Sequence, residues 1–264
     1  MNHKTITNDR GTVHYWVDGT ANETMIFTHG ATMDHGMFQK QMELFAKKHK
    51  VISWDVPYHG LSRPYQDFSL QHAADDLIQI LDAEGVAQAH LVGQSMGGYI
   101  IQIAALNHPE RIRSLVPVDT SPTQLSYYSK MDRWLLSITP SLLKLYPYNC
   151  LIKTIAKGIT LDKSVESYAL DVLKTYSIED IALIMDKVYK GLLLYEEDYR
   201  LPCPTLIVYG DKDKTGKVVA YCKRWAKQED RELKVIPNAG HNANQDNPVE
   251  FNRILEEFLE KQNG

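Results

Sequence analysis

His90-Leu91-Val92-Gly93-Gln94-Ser95-Met96-Gly97-Gly98-Tyr99-Ile100 is the stretch that decides the fold. A short apolar run of strand type, His90 to Val92, meets Gly93. After Gly98 comes a helix-type segment carrying Tyr99, Ile100, Ile103 and Ala104. A serine therefore stands at a strand-to-helix turn with a glycine two residues to either side. So tight a turn leaves no room for side chains at those two positions. Gly93 and Gly97 remove the clash, and Ser95 is then free to adopt a strained conformation with its hydroxyl exposed. The helix N-terminus beside it favours negative charge developing nearby. Such a setting suits a nucleophile, and a serine nucleophile needs a base to take its proton and a carboxylate to orient that base.

Outward from this turn, apolar runs of strand length alternate with longer helix-period segments, the pattern of a mostly parallel sheet. Met25-Ile26-Phe27 ends at His29-Gly30, Val51 to Trp54 at Asp55, and Leu115 to Val118 at Asp119. Leu206 to Tyr209 ends at Gly210 and Leu233 to Ile236 at Pro237. Polar and glycine residues thus collect past the C-terminal ends of the strands, where open α/β sheets place their sites. Thr12 to Val17 alternates and closes on Asp18-Gly19, which predicts the start of an antiparallel hairpin. Phe68 to Leu81 carries a helical stripe (Leu70, Ala73, Ala74, Leu77, Ile78 and Leu81). The last helix opens at Asn247-Pro248-Val249-Glu250, with an Asn cap and Pro in the first helical position, and turns Phe251, Ile254, Leu255, Phe258 and Leu259 inward.

Two further residues complete the chemistry that Ser95 needs, in the chain order serine, acid, histidine. His241 lies in Asn238-Ala239-Gly240-His241-Asn242, just after the last strand, and alone among ten histidines has that placement. The acid has two candidates. Asp213 follows Gly210-Asp211-Lys212, and Asp119 ends the preceding strand; Asp211 is placed to bind backbone in its own turn.

From Ser121 to about Arg200 the alternation stops. Helix-like pieces, one starting at Ser177-Ile178-Glu179-Asp180, replace strands, and nine of the fifteen tyrosines fall here. That much aromatic surface predicts a helical insertion packed over the sheet edge rather than a solvated linker. Residues 1–120 and 201–264 then form the α/β core, and 121–200 the insertion.

Composition narrows the class. The 264 residues are 44 % hydrophobic and 23 % charged, ample for a sizeable core and unlike a disordered chain. Twenty-nine Lys and Arg against thirty-three Asp and Glu give a net charge of −4, without the basic surplus that nucleic-acid or anionic-membrane partners require. Lys212, Lys214 and Lys217 are read as a solvated loop. Cys150, Cys203 and Cys222 show neither disulfide nor zinc spacing and are expected as buried free thiols of a reducing compartment. A polar N-terminus and no membrane-length apolar run make a soluble cytoplasmic protein the expectation. Nothing in the sequence fixes an oligomeric state.

Gly93-x-Ser95-x-Gly97 in its strand–turn–helix context, with Asp213 and His241 downstream, resembles the α/β-hydrolase superfamily over nearly the whole chain. The resemblance implies a doubly wound, mostly parallel α/β sheet with a helical cap inserted between strands 6 and 7. His29-Gly30-Ala31 is similar to the family's oxyanion loop, which implies the backbone N–H groups of Ala31 and Met96 as oxyanion donors. Asp55-Val56-Pro57-Tyr58-His59-Gly60-Leu61-Ser62 is similar to a family segment of structural role, so Asp55 and His59 are given no part in catalysis. Departures exclude some branches: serine rather than aspartate at the nucleophile, no His-Gly-Gly-Gly, no Gly-Pro-Gly in the oxyanion loop, and Met96 rather than Trp. What remains is a capped serine hydrolase of carboxylic esters, thioesters or lactones, needing no metal or organic cofactor and acting on a small molecule. C–C or amide cleavage by the same triad, or slow-turnover ligand sensing, are the alternatives. The insertion's tyrosines, with Trp134, Leu135 and Leu142, are expected to roof an apolar pocket for a small uncharged group.

Overall fold

The computed structural model describes residues 1–262. Its eight strands are β1 (Asn2–Asn8), β2 (Gly11–Asp18), β3 (Thr24–Thr28), β4 (Lys50–Trp54), β5 (Ala89–Gln94), β6 (Ile112–Val118), β7 (Leu206–Gly210) and β8 (Glu232–Ile236). They form one sheet in the order β1-β2-β4-β3-β5-β6-β7-β8. β1, β2 and β4 pair antiparallel, and every pairing from β4 to β8 is parallel. This is the mostly parallel α/β sheet expected. β3, β5 and β7 are buried along their whole length, as strands covered by helices on both faces must be, which is why they read as unbroken apolar runs.

One expectation is corrected at the N-terminal edge. The hairpin exists, but Thr12 to Val17 is its second strand, and the reversal falls at Asp9-Arg10 rather than at Asp18-Gly19. Asp18-Gly19 instead leads the chain out of β2 toward β3, across β4. β1 escaped notice because an exposed edge strand needs no apolar alternation; its polar residues and Lys4 suit a strand with one open side.

Helices α1 (Gln39–Phe45), α2 (Leu70–Ala83) and α3 (Met96–Asn107) connect the central strands. α2 starts where Ser69 accepts the His72 N–H. Between β6 and β7 come α4 (Lys130–Leu143), α5 (Tyr148–Ile159), α6 (Lys163–Leu173) and α7 (Ile178–Leu192). Ser177 and Asp180 form the capping box that opens α7. α4 packs on α7 and α5 on α6, while α7 also touches α2 and α3 of the sheet's helical layer. The chain closes with α8 (Val218–Glu229), the short α9 (Ala243–Asp246) and α10 (Pro248–Gln262). As expected, Asn247 accepts the Glu250 N–H, and the five inward residues of α10 are buried. Among the described residues, no helix is long and apolar enough to cross a membrane.

The sheet order reverses at β3, which has β4 on one side and β5 on the other. The C-terminal ends of β3 and β5 therefore flank the crevice in which such sheets hold ligands. The start of α3 runs so close to the end of β3 that a Cβ on Gly97 would lie 2.1 Å from the Thr28 carbonyl oxygen. Backbone supplies the clash, so no side chain can swing away. Gly97→Ala is expected to cost about 1–3 kcal/mol, the usual range for overpacking, and to lower Tm by roughly 3–10 °C in a domain of this size. Thermal unfolding checks this, and an unchanged Tm would refute the tight contact.

Candidate active site

Ser95 stands between β5 and α3 with φ 49° and ψ −114°. That left-handed conformation costs a non-glycine residue of order 1–3 kcal/mol and persists only where the surroundings impose it. They do so here. The Ser95 N–H donates to the Val118 carbonyl (2.9 Å), and its own carbonyl accepts from Gly98 N (2.9 Å) and Thr120 Oγ1 (2.9 Å). A Cβ on Gly93 would meet the Gly97 carbonyl oxygen at 2.4 Å. Both glycines of the motif are thus required by close backbone approach, as the sequence predicts.

His241 follows β8, and its Nδ1 pairs with Asp213 Oδ2 at 2.9 Å. The Asp213 side chain is wholly buried and that of His241 nearly so. The other Asp213 oxygen accepts the Thr215 N–H (2.7 Å). Burial alone would raise the Asp213 carboxyl pKa; the hydrogen bond and charge of His241, with the Thr215 contacts, outweigh it and hold the pKa below the ordinary value. Asp211 accepts the Ala239 N–H (3.2 Å), so it binds backbone as expected, but in the loop after β8 rather than in its own turn.

Asp119 is also fully buried, but it faces backbone. One oxygen accepts the Gly210 N–H (2.8 Å) at the end of β7, and the other accepts the Ala243 N–H (3.2 Å) beyond His241. It ties together the two loops that carry Asp213 and His241, and of the two candidate acids Asp213 is the one bonded to the imidazole. Burial first, and the neighbouring Asp213 charge second, push the Asp119 pKa well above the ordinary value. Asp119, Asp213 and His241 have ligand-type atoms within 4.8 Å of one another, the spacing of a metal site. The four carboxylate oxygens and His241 Nδ1 already have partners, the N–H groups of Gly210, Ala243 and Thr215 and the imidazole–carboxylate bond itself.

Two residues without an expected role also fix the histidine loop. Gln94 Nε2 donates to the His241 carbonyl (2.7 Å), and Asp246 Oδ2 accepts the Gly240 N–H (2.7 Å). Gln94 occupies a variable place in the Gly-x-Ser motif, and no sequence signal marks it. The insertion reaches the same loop, since the Ile159 carbonyl at the end of α5 accepts the Asn242 N–H (2.7 Å). Asp55 and His59 are buried away from this chemistry. Asp55 receives the His35 N–H (2.8 Å) and the Leu61 N–H (2.7 Å), a structural hub as expected.

Ser95, His241 and Ala31 line a cavity of two lobes. One, of about 500 Å³, has mostly apolar walls including Leu135, Leu136, Val188 and Leu192. The other, of about 830 Å³, lies toward α5 and carries Lys157, Lys212 and Lys214 on its wall. Thr139, Met185, Tyr189 and Thr215 border both. Met96 opens α3, so its N–H has no acceptor within the helix.

The expected roof is corrected. Trp134, Leu135 and Leu142 are 56 %, 46 % and 46 % exposed, and of the three only Leu135 reaches the cavity wall. α4 turns Asp132, Leu136, Thr139 and Leu143 inward instead. Of the nine tyrosines, Tyr128 and Tyr189 line the cavity. Tyr168 and Tyr176 bond to Asp34 and Gly60, fastening the insertion to the core. The cysteine expectation fails at Cys150, which is exposed; Cys203 and Cys222 are buried, and all three are free. Lys217 is solvent-exposed, as expected, and also pairs with Asp132 of α4 at 2.6 Å.

With this geometry in view, comparison with known proteins places the chain. The profile of the α/β-hydrolase fold family matches residues 23–248. A pimeloyl-[acyl-carrier protein] methyl ester esterase of Chromobacterium violaceum is 28 % identical over 90 % of this chain and 94 % of its own. A 3-oxoadipate enol-lactonase of Acinetobacter baylyi is 35 % identical, over 35 % of this chain and 36 % of its own length. Among solved structures, an esterase from Thermogutta terrifontis superposes with a TM-score of 0.80 at 20 % identity, covering 99 % of both chains. The chain belongs to the α/β-hydrolase fold family, and it is a hydrolase.

The Asp119 environment predicts a pH signature. A carboxyl whose folded pKa lies above its unfolded value contributes stability below the unfolded pKa of about 3.9 and loses it as pH rises toward the folded value. Wild type should therefore lose stability relative to Asp119→Asn as pH rises from about 4, by up to about 1.4 kcal/mol per pH unit. Urea unfolding of both proteins across that rise measures it, and a pH-independent difference would show that Asp119 is not raised.

Proposed function

We propose that this hydrolase is a carboxylesterase-like serine enzyme acting on esters, thioesters or lactones of small to medium acids, with helices α4–α7 (within residues 121–200) as a cap over a core of residues 1–120 and 201–264. One observation carries the reading: a strained serine at the end of β5 and a histidine bonded to a buried aspartate open onto one cavity. Relatives named for methyl-ester and lactone hydrolysis support the bond type.

In this mechanism Ser95 Oγ attacks the acyl carbon while His241 takes its proton. Asp213 fixes the imidazole orientation and stabilises the imidazolium. The oxyanion receives the N–H groups of Ala31 and Met96, each such donor being worth about 3 kcal/mol in the transition state. The carbon–oxygen ester bond then breaks, and His241 returns the proton to the departing alkoxide. Water attacks the acyl-enzyme through the same steps, releasing the acid and restoring Ser95.

Purified protein should turn over p-nitrophenyl esters many times per chain; a burst that stops near one acyl group would instead indicate a ligand-sensing protein. Ser95→Ala should lower kcat by about 10⁴–10⁶, and adding His241→Ala should cost little more, because such residues act as a unit. Asp213→Asn should cost about 10³–10⁴ in kcat by favouring the wrong tautomer, with Asp119→Asn far milder. The reverse order would move the acid to Asp119.

Acyl-chain length should show an optimum. Each buried methylene is worth about 0.8 kcal/mol, so kcat/KM should climb a few-fold per carbon while the apolar lobe fills and fall once it is full. Esters from acetate to palmitate should peak at short to medium chains. A maximum at palmitate would mean an open groove and overturn the reading of an apolar lobe of limited length.

A further inference from the structure

The two lobes that meet at Ser95 and His241 differ in charge. The smaller has one lysine on its wall, Lys217, and its ammonium is neutralised by Asp132 (2.6 Å), itself on that wall. The larger is bordered by Lys157, Lys212 and Lys214, and no aspartate or glutamate among the described residues lines it. Lys212 is paired with Asp211 (2.9 Å). Lys157 and Lys214 form no ion pair or hydrogen bond with any described residue, and both are solvent-exposed, which places them at the lobe's rim.

The two cations approach from opposite elements. Lys157 comes from the last turn of α5 in the insertion, and Lys214 from the loop after β7, next to Asp213. A generally basic surface does not explain them, because the chain carries a net charge of −4. Lys157 gains something from the C-terminal end of α5, where a cation is favoured. That accounts for neither Lys214 nor the lack of carboxylates on this wall.

Resting on the esterase reading above, we propose that the larger lobe is an anion subsite and that the substrate is a small ester or lactone bearing a carboxylate. Its uncharged part lies in the apolar lobe, its reacting carbonyl lies at Ser95, and its carboxylate lies between Lys157 and Lys214. Both lysines are exposed, so each contributes modestly, about two- to five-fold in affinity, and salt screens the effect. A carboxylate spanning them also bridges the insertion and the core across the mouth of the site.

The test separates binding from turnover. Binding of monomethyl glutarate and of its neutral analogue, methyl 4-carbamoylbutanoate, to Ser95→Ala protein is followed by NMR titration. The anion should bind about ten-fold more tightly at low salt, with the preference shrinking toward one at about 0.5 M salt. Lys157→Gln with Lys214→Gln should abolish the preference, and Lys157→Glu with Lys214→Glu should invert it. Equal affinities, or a preference that survives the double Gln change, would overturn the subsite. Turnover of p-nitrophenyl hemiglutarate by wild type tests the esterase reading separately: a preference in binding without hydrolysis would sink that reading and leave the anion subsite standing.

Discussion

The site rests on a single crowded junction, where the first turn of α3 lies against the end of β3. Gly97 touches the Thr28 carbonyl, Gly93 touches Gly97, and Ser95 is pressed between them into a left-handed conformation. Its strain is held by main-chain bonds to β6 and α3 rather than by its own side chain. The hydroxyl is therefore aimed by the fold itself. Because β3 and β5 are adjacent at the point where the sheet order reverses, the same crowding sets Ser95 beside Ala31 at the head of the crevice.

The other half of the site is held by polar ties. The His241 loop is bonded from β5 through Gln94, from just past β6 through Asp119, from α9 through Asp246 and from the insertion through Ile159. Each tie satisfies a buried polar group that would otherwise cost about 1–3 kcal/mol. Together they bring the imidazole, 146 residues along the chain from the serine by their numbers, to a common cavity. Asp119 is the costliest of them, since its carboxylate is buried beside Asp213. It serves as the clasp between the acid loop and the histidine loop.

What the sequence made legible follows from local physics. Buried strands, the α10 cap and the glycine-flanked serine each carry a signal within a few residues, and each lies where it was expected. The polar edge strand β1 did not, because an exposed edge imposes no pattern. Which side of α4 faces the cavity was also hidden. Apolar residues lie on both of its faces, and only the packing against α7 decides that Leu136 and Leu143 turn in while Trp134 turns out. Gln94 and the rim lysines were silent for a related reason: their meaning depends on partners far away in the chain.

The central claim is that Ser95 is the nucleophile and His241 its base. Intact-mass and peptide mapping of protein treated with a fluorophosphonate tests it most directly, because the reagent bonds only to an activated hydroxyl. The account predicts one adduct per chain, on the peptide bearing Ser95, forming orders of magnitude more slowly in His241→Ala protein. An adduct on another residue, or an unmodified Ser95 in protein that still hydrolyses esters, would contradict it.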